Sequence, residues 1–174
     1  MALVLVYRGE LLAENDSNKR TKLKQFIRRK LHNQLTEVIK KPYFTLAGGS
    51  DFFQSVKIGR FNFQALICKN PTFPRRGCDL EIRMLSRDPF NAVYQSGDLD
   101  NRLKIVFDAL GLPNENQIEK DEPQEGEDPF WVLLSNDKLI TDLHIVQDTL
   151  HSPDMSANYV ELTITIKIKD DYKL

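Results

Sequence analysis

Asp98-Leu99-Asp100-Asn101-Arg102-Leu103-Lys104-Ile105-Val106-Phe107-Asp108-Ala109-Leu110 is the stretch that decides the fold. Leu103, Val106, Phe107 and Leu110 recur at three- and four-residue spacing, which makes one apolar helical stripe. Gly111 and Pro113 supply the stop. The flanking segments obey a different period. Upstream, Leu80, Ile82 and Met84 alternate with Glu81 and Arg83; downstream, Leu162, Ile164, Ile166 and Ile168 alternate with Thr163, Thr165 and Lys167. A period of two is the mark of a half-buried strand. A helix between strands on both sides predicts a mixed fold.

Working outward, Leu3 to Tyr7 is short, apolar and β-prone, and Arg8-Gly9 closes it as a strand. Asn15-Asp16-Ser17-Asn18 offers several N-caps for a helix over Lys19 to Lys40. Its apolar face reads Leu23, Phe26, Ile27, Leu31, Leu35, Val38 and Ile39, with Lys22, Arg28, Arg29 and Lys40 largely off it. Pro42 ends it. Val56 to Cys68 reads as a strand bent or bulged at Gly59. Residues 111–129 form a polar, acidic connection, and Trp131–Leu134, Leu139–Val146 and Tyr159–Ile168 are strands. The order β-α-β-β-α-β-β predicts one α/β (α+β) domain over residues 1–174, with a mixed, largely antiparallel sheet and two main helices.

A chain of 174 residues with 41% apolar and 28% charged residues has enough core to fold without staples. The longest apolar run, Ala2 to Tyr7, is far short of the ~20 residues that span a bilayer, and no basic segment precedes it as in a secretory signal. Cys68 and Cys78 make no disulfide framework and no CxxC pair. The expectation is a reduced, cytoplasmic protein with no membrane partner. His32 and His144, lacking a second ligand at suitable spacing, read as structural, and Trp131 as core.

The net charge of −1 hides a split: residues 1–97 hold 17 Lys/Arg against 8 Asp/Glu, and residues 98–174 hold 7 against 17. Such asymmetry points to an anionic ligand for the basic part. Arg28 and Arg29 on the first helix, with Arg75, Arg76 and Arg102, are the candidate phosphate contacts. Seven carboxylates between Glu115 and Asp128 face only Lys120 and read either as a solvated loop or as a lid over that basic surface.

The chemistry concentrates at the start of the 98–110 helix. Asp98 and Asp100, one residue apart at an extended helix entry, point to the same side, and Lys104 follows Asp100 by about one turn. Paired carboxylates repel unless protonated or bridged by a cation, and hard oxygens favour Mg²⁺ or Mn²⁺. The competing reading is a plain helix cap with a surface ion pair to Lys104.

Asp98-Leu99-Asp100-Asn101, Lys104 and Phe107-Asp108-Ala109-Leu110 together resemble the signature of RusA-type Holliday-junction resolvases, small nucleases common in prophages. Asn136-Asp137-Lys138-Leu139-Ile140 resembles the family's second acidic stretch, with Asp137 at its catalytic position, and Val160–Thr165 is similar to its last strand. The resemblance covers about residues 97–110 and 131–168, and the N-terminal half only in outline. It implies a homodimer that binds four-way junctions and nicks symmetric strands with Mg²⁺, or Mn²⁺ as a substitute, in DNA recombination and repair, in a chain of prophage or mobile-element origin. Asp98, Asp100 and Asp137 would hold the ion, and Lys104 would support the phosphate or the attacking water. Two departures, Asn136 in place of an acidic residue and the long 111–129 insertion, keep open a catalytically impaired junction-binding accessory protein. A third possibility is a protein-interaction module acting through the 115–128 tract.

Overall fold

The computed structural model describes residues 2–12, 16–42, 44, 53–69, 76–87, 98–118, 121–152 and 154–169. Strand β1 (Ala2–Glu10) leads into helix α1 (Ser17–Ile39). Strands β2 (Gln54–Ile58), β3 (Phe61–Ile67) and β4 (Gly77–Ser86) precede helix α2 (Asp98–Leu110) and a one-turn helix α3 (Glu115–Ile118). Strand β5 (Phe130–Leu134), a 3₁₀ turn (Asp137–Leu139), β6 (Ile140–Thr149) and β7 (Tyr159–Lys169) complete the order. This is the mixed α/β fold expected, but its strands divide into two sheets. One runs β1-β7-β4-β6, antiparallel except for the β4–β6 pair; the other runs β2-β3-β5. Among the described residues no helix is long and apolar enough to cross a membrane.

The larger sheet follows its sequence period closely. Leu3, Leu5 and Tyr7 of β1, Leu80, Ile82 and Met84 of β4, and Leu162, Ile164 and Ile166 of β7 share the buried face. They join Ile27, Leu31, Leu35 and Val38 of α1 and Leu103, Val106 and Leu110 of α2 in one core. Each fully buried Leu or Ile contributes about 1.5–3 kcal/mol relative to an exposed one. Strand β5, Phe-Trp-Val-Leu-Leu, is buried on both faces. Trp131 and Leu133 join this core, while Phe130 and Val132 join a smaller one with Phe61, Phe63, Ala65 and Ile118.

Four local expectations are corrected. The run Val56–Cys68 is a two-strand hairpin, since Ile58 pairs with Phe61 and Gly59 turns the chain at φ +57°. Phe26 is 50% exposed, because Ile27, Leu31 and Leu35 carry the apolar stripe and leave it at the rim. Arg28, expected off the apolar face, is 1% exposed, because α1 packs against α2 as well as the sheet. The acidic connection is no plain solvated loop: Ile118 is 2% and Glu127 5% exposed.

Two polar side chains on α1 fix its surroundings. The free edge of β1 is covered by Gln34: Val6 N–H donates to Gln34 Oε1 (2.8 Å), and Gln34 Nε2 donates back to the Val6 carbonyl (2.6 Å). That pairing satisfies groups through which an edge strand otherwise recruits another chain. His32, 2% exposed, clamps the connection. Its Nδ1 accepts from the Trp131 N–H (2.9 Å), so in the neutral ring Nε2 carries the proton and donates to the Gly126 carbonyl (3.1 Å). Neither ring nitrogen is left for a metal.

Burial holds the His32 ring below its ordinary 6.5, against the opposing pull of the Gly126 hydrogen bond and the Glu127 charge. Below that pH the unfolded chain binds more protons than the folded one, so this contribution is complete above about pH 6.5 and is lost as pH falls through the folded value. The melting temperature is therefore expected to drop between about pH 7.5 and about pH 5, and to drop less in His32→Gln. Parallel curves for the two proteins would show that the ring does not titrate with unfolding.

Candidate functional site

Helix α2 carries the DLDN stretch at its first turn. Asp98 is its first residue, and that side chain lies outside the described residues. Asp100 and Lys104 are both exposed, four residues and so about 6 Å apart along the axis. Asp137 is exposed in the 3₁₀ turn after β5. Asn136 caps that turn, its Oδ1 accepting from the Lys138 N–H at 2.8 Å. An Asn there does the capping work of an Asp, so its presence has a local structural reason.

The side chains of Asp100, Lys104 and Asp137 have no hydrogen-bond or ion-pair partner among the described residues. Asp100 and Lys104 share one side of α2 by spacing, whereas no group of three potential metal-ligating residues forms among the described residues. By donor chemistry the carboxylates suit a hard divalent cation. The C-terminal end of α2 is anchored beside the end of β5: Leu112 N–H donates to the Leu134 carbonyl (3.1 Å), three residues before Asp137.

Asp108, in the same motif, is structural. Its carboxylate pairs with Lys24, which is 8% exposed, and its carbonyl accepts from Arg28 Nη2 at 2.7 Å. Arg28 Nη1 donates to Gln25 Oε1 at 2.5 Å. Burial pulls the Arg28 guanidinium down to about 10, partly offset by the charges of Asp108 and Asp121. Helices α1 and α2 are thus joined through buried cations.

This changes the set of DNA-contact candidates. Arg28 and Arg76 are each 1% exposed and present no guanidinium to a polyanion. Arg29 is engaged by the acidic connection: Nε donates to Glu127 Oε1 (2.8 Å), and Nη2 donates to Asp121 Oδ1 (3.0 Å) and to the Glu122 carbonyl (2.9 Å). Burial alone would lower Arg29, but its hydrogen bonds to Glu127 and Asp121 and their charges hold it above its ordinary value. Arg102 is half-buried, and Arg75 lies outside the described residues. Sequence reasoning missed instead a groove of about 890 Å³ between α1 and the connection, lined by Lys22, Phe26 and Lys30 among others. The signal for it was Lys22-x₃-Phe26-x₃-Lys30, one turn between each pair, in which Phe26 was assigned to the core.

The chain matches no protein-family model and no curated protein sequence.

Arg29 is the removable link between α1 and the connection. Arg29→Met leaves the Glu127 carboxylate, whose side chain is only 7% exposed, without a cation and with only the Gln124 N–H as donor. The expected loss is about 2–3 kcal/mol, short of the ~3–5 kcal/mol of a fully buried pair because the guanidinium retains some contact with water. Adding Glu127→Gln should recover part of it in a double-mutant cycle measured by urea unfolding. Purely additive losses would mean that the pair is not coupled.

Proposed function

We propose that the chain is a divalent-metal-dependent, structure-selective endodeoxyribonuclease that cuts four-way DNA junctions as a homodimer. The observation that carries this reading is the uncommitted state of Asp100, Lys104 and Asp137 among the described residues, while Asp108 of the same motif is consumed in packing. Free, exposed charges at the positions of the RusA-type signature are what a phosphodiester and a cation need. Asp98, Asp100 and Asp137 would hold Mg²⁺ or Mn²⁺, which when bound supplies a nucleophilic water at neutral pH and offsets charge on the leaving oxygen. Lys104 holds a phosphate oxygen as a point charge, and its contribution grows as negative charge develops.

A second reading, a junction-binding accessory protein without cleavage, is favoured by the 111–129 insertion, which takes up Arg29 of the basic helix. A mobile four-way junction incubated with and without Mg²⁺ or Mn²⁺ separates them: cleavage selects the nuclease, binding alone the accessory protein. In the nuclease, Asp98→Asn and Asp137→Asn should lose most cleavage yet keep or improve junction affinity, because a negative group near the phosphates is gone. Lys104→Ala should lose on the order of 10²–10³-fold in cleavage together with some affinity. If Asp98 and Asp100 served only as helix caps, Asp98→Asn would keep wild-type activity, since Asn caps about as well as Asp.

Metal binding has an independent readout. An ion bound only to the native state adds roughly 2.7 kcal/mol at a hundredfold excess over Kd. Millimolar Mn²⁺ should raise the melting temperature, and Asp137→Asn should blunt the rise. An unchanged melting curve with no heat in calorimetry would remove the metal site.

A further inference from the structure

The groove between α1 and the acidic connection has a composition that the packing of the fold does not explain. Phe26 keeps half of its surface in solvent on a helix whose other large apolar residues are buried or partly buried. Lys22 and Lys30 stand one turn before and one turn after it, both exposed, and neither ammonium has a carboxylate partner among the described residues. The other wall, from α3 and the connection, contributes Asn116 and Gln117 amides and Asp121. Asp121 shares Arg29 with Glu127, so Lys22 and Lys30 leave this set of charges with a net positive balance of one rather than two.

Two polar atoms at the groove are unmatched. Gln25, 4% exposed, gives its Oε1 to Arg28, while its Nε2 has no partner among the described residues; Asp121 Oδ2 likewise has none. Both atoms are buried, and Gln25 Oε1 and Asp121 Oδ1 are held by Arg28 and Arg29, so these two residues shape the groove wall.

We infer that this groove is a track for single-stranded nucleic acid, with one base stacked on Phe26 and the flanking phosphates held by Lys22 and Lys30. Cation, aromatic and cation at intervals of about 6 Å along a helix match a chain that alternates phosphates with flat apolar bases. Lys30 Nζ already lies 5.5 Å from the Phe26 ring centroid. That contact is weak at an exposed site, so the ammonium moves to a phosphate and frees the ring face. Duplex DNA hides its base faces in the stack and does not use Phe26. The inference goes beyond the proposed cleavage and needs none of Asp98, Asp100, Lys104 or Asp137.

The test is fluorescence anisotropy of a labelled short oligothymidine with the full chain, in chelator so that no cleavage intervenes. The strand should bind more tightly than a blunt duplex of equal length. Phe26→Ala should weaken it about tenfold, and Phe26→Tyr should restore it, since stacking rather than bulk is at stake. Lys22→Gln with Lys30→Gln should lower the log–log salt slope by about 1.4, at about 0.7 per single-strand phosphate. Wild-type affinity in Phe26→Ala would overturn the inference, as would equal competition by the duplex, by polyglutamate or by thymidine monophosphate, which would indicate general polyanion capture or a free-nucleotide pocket. A junction-cleaving protein with no Phe26 dependence refutes only this track; strand binding in a protein that cuts nothing refutes only the nuclease reading.

Discussion

The buried cationic side of α1 is the constraint on which the rest of the molecule depends. A helix in contact with a sheet, a second helix and a long connection has little surface left for solvent, so Lys24, Arg28 and Arg29 enter the interior with their charges. A buried charge without a partner costs far more than any single apolar contact returns. The partners come from the elements that α1 organises: the carboxylate and carbonyl of Asp108 from α2, and Asp121 and Glu127 from the connection. His32 adds a neutral clamp on Gly126 and Trp131. The placement of α2, and with it the DLDN stretch, is therefore set by polar pairing as much as by the apolar stripe.

The same pairing accounts for part of the charge split. Basic residues of the N-terminal half meet acidic residues of the C-terminal half across the fold: Arg29 with Asp121 and Glu127, Arg60 with Glu122, Arg83 with Asp148. The exposed pairs contribute little to stability, but they remove charges from the pool available to a ligand. Among the described residues, the charges left without an ion-pair partner include two sets. Asp100, Lys104 and Asp137 are the free charges of the signature motif, and Lys22 and Lys30 are the free cations of the α1 groove.

The sequence alone determined the elements whose signal is local. Helix α2 has the predicted bounds, and α1 and β7 begin and end close to theirs, because a period of 3.6 or 2 over ten or more residues reports a buried face whatever covers it. The DxDN spacing and Lys104 one turn on are equally local, whereas Asp137 joins them only through the resemblance to the RusA-type signature. Tertiary structure decided which charges are spent. Arg28 meets Asp108 across 80 positions and Arg29 meets Glu127 across 98, so no local window distinguishes these arginines from Lys22 or Lys30. It likewise decided that Phe26 lies at the rim of a groove while Ile27 lies in the core: neighbours on a helix differ by 100° in direction, and only the position of the packed layers says which direction is inward.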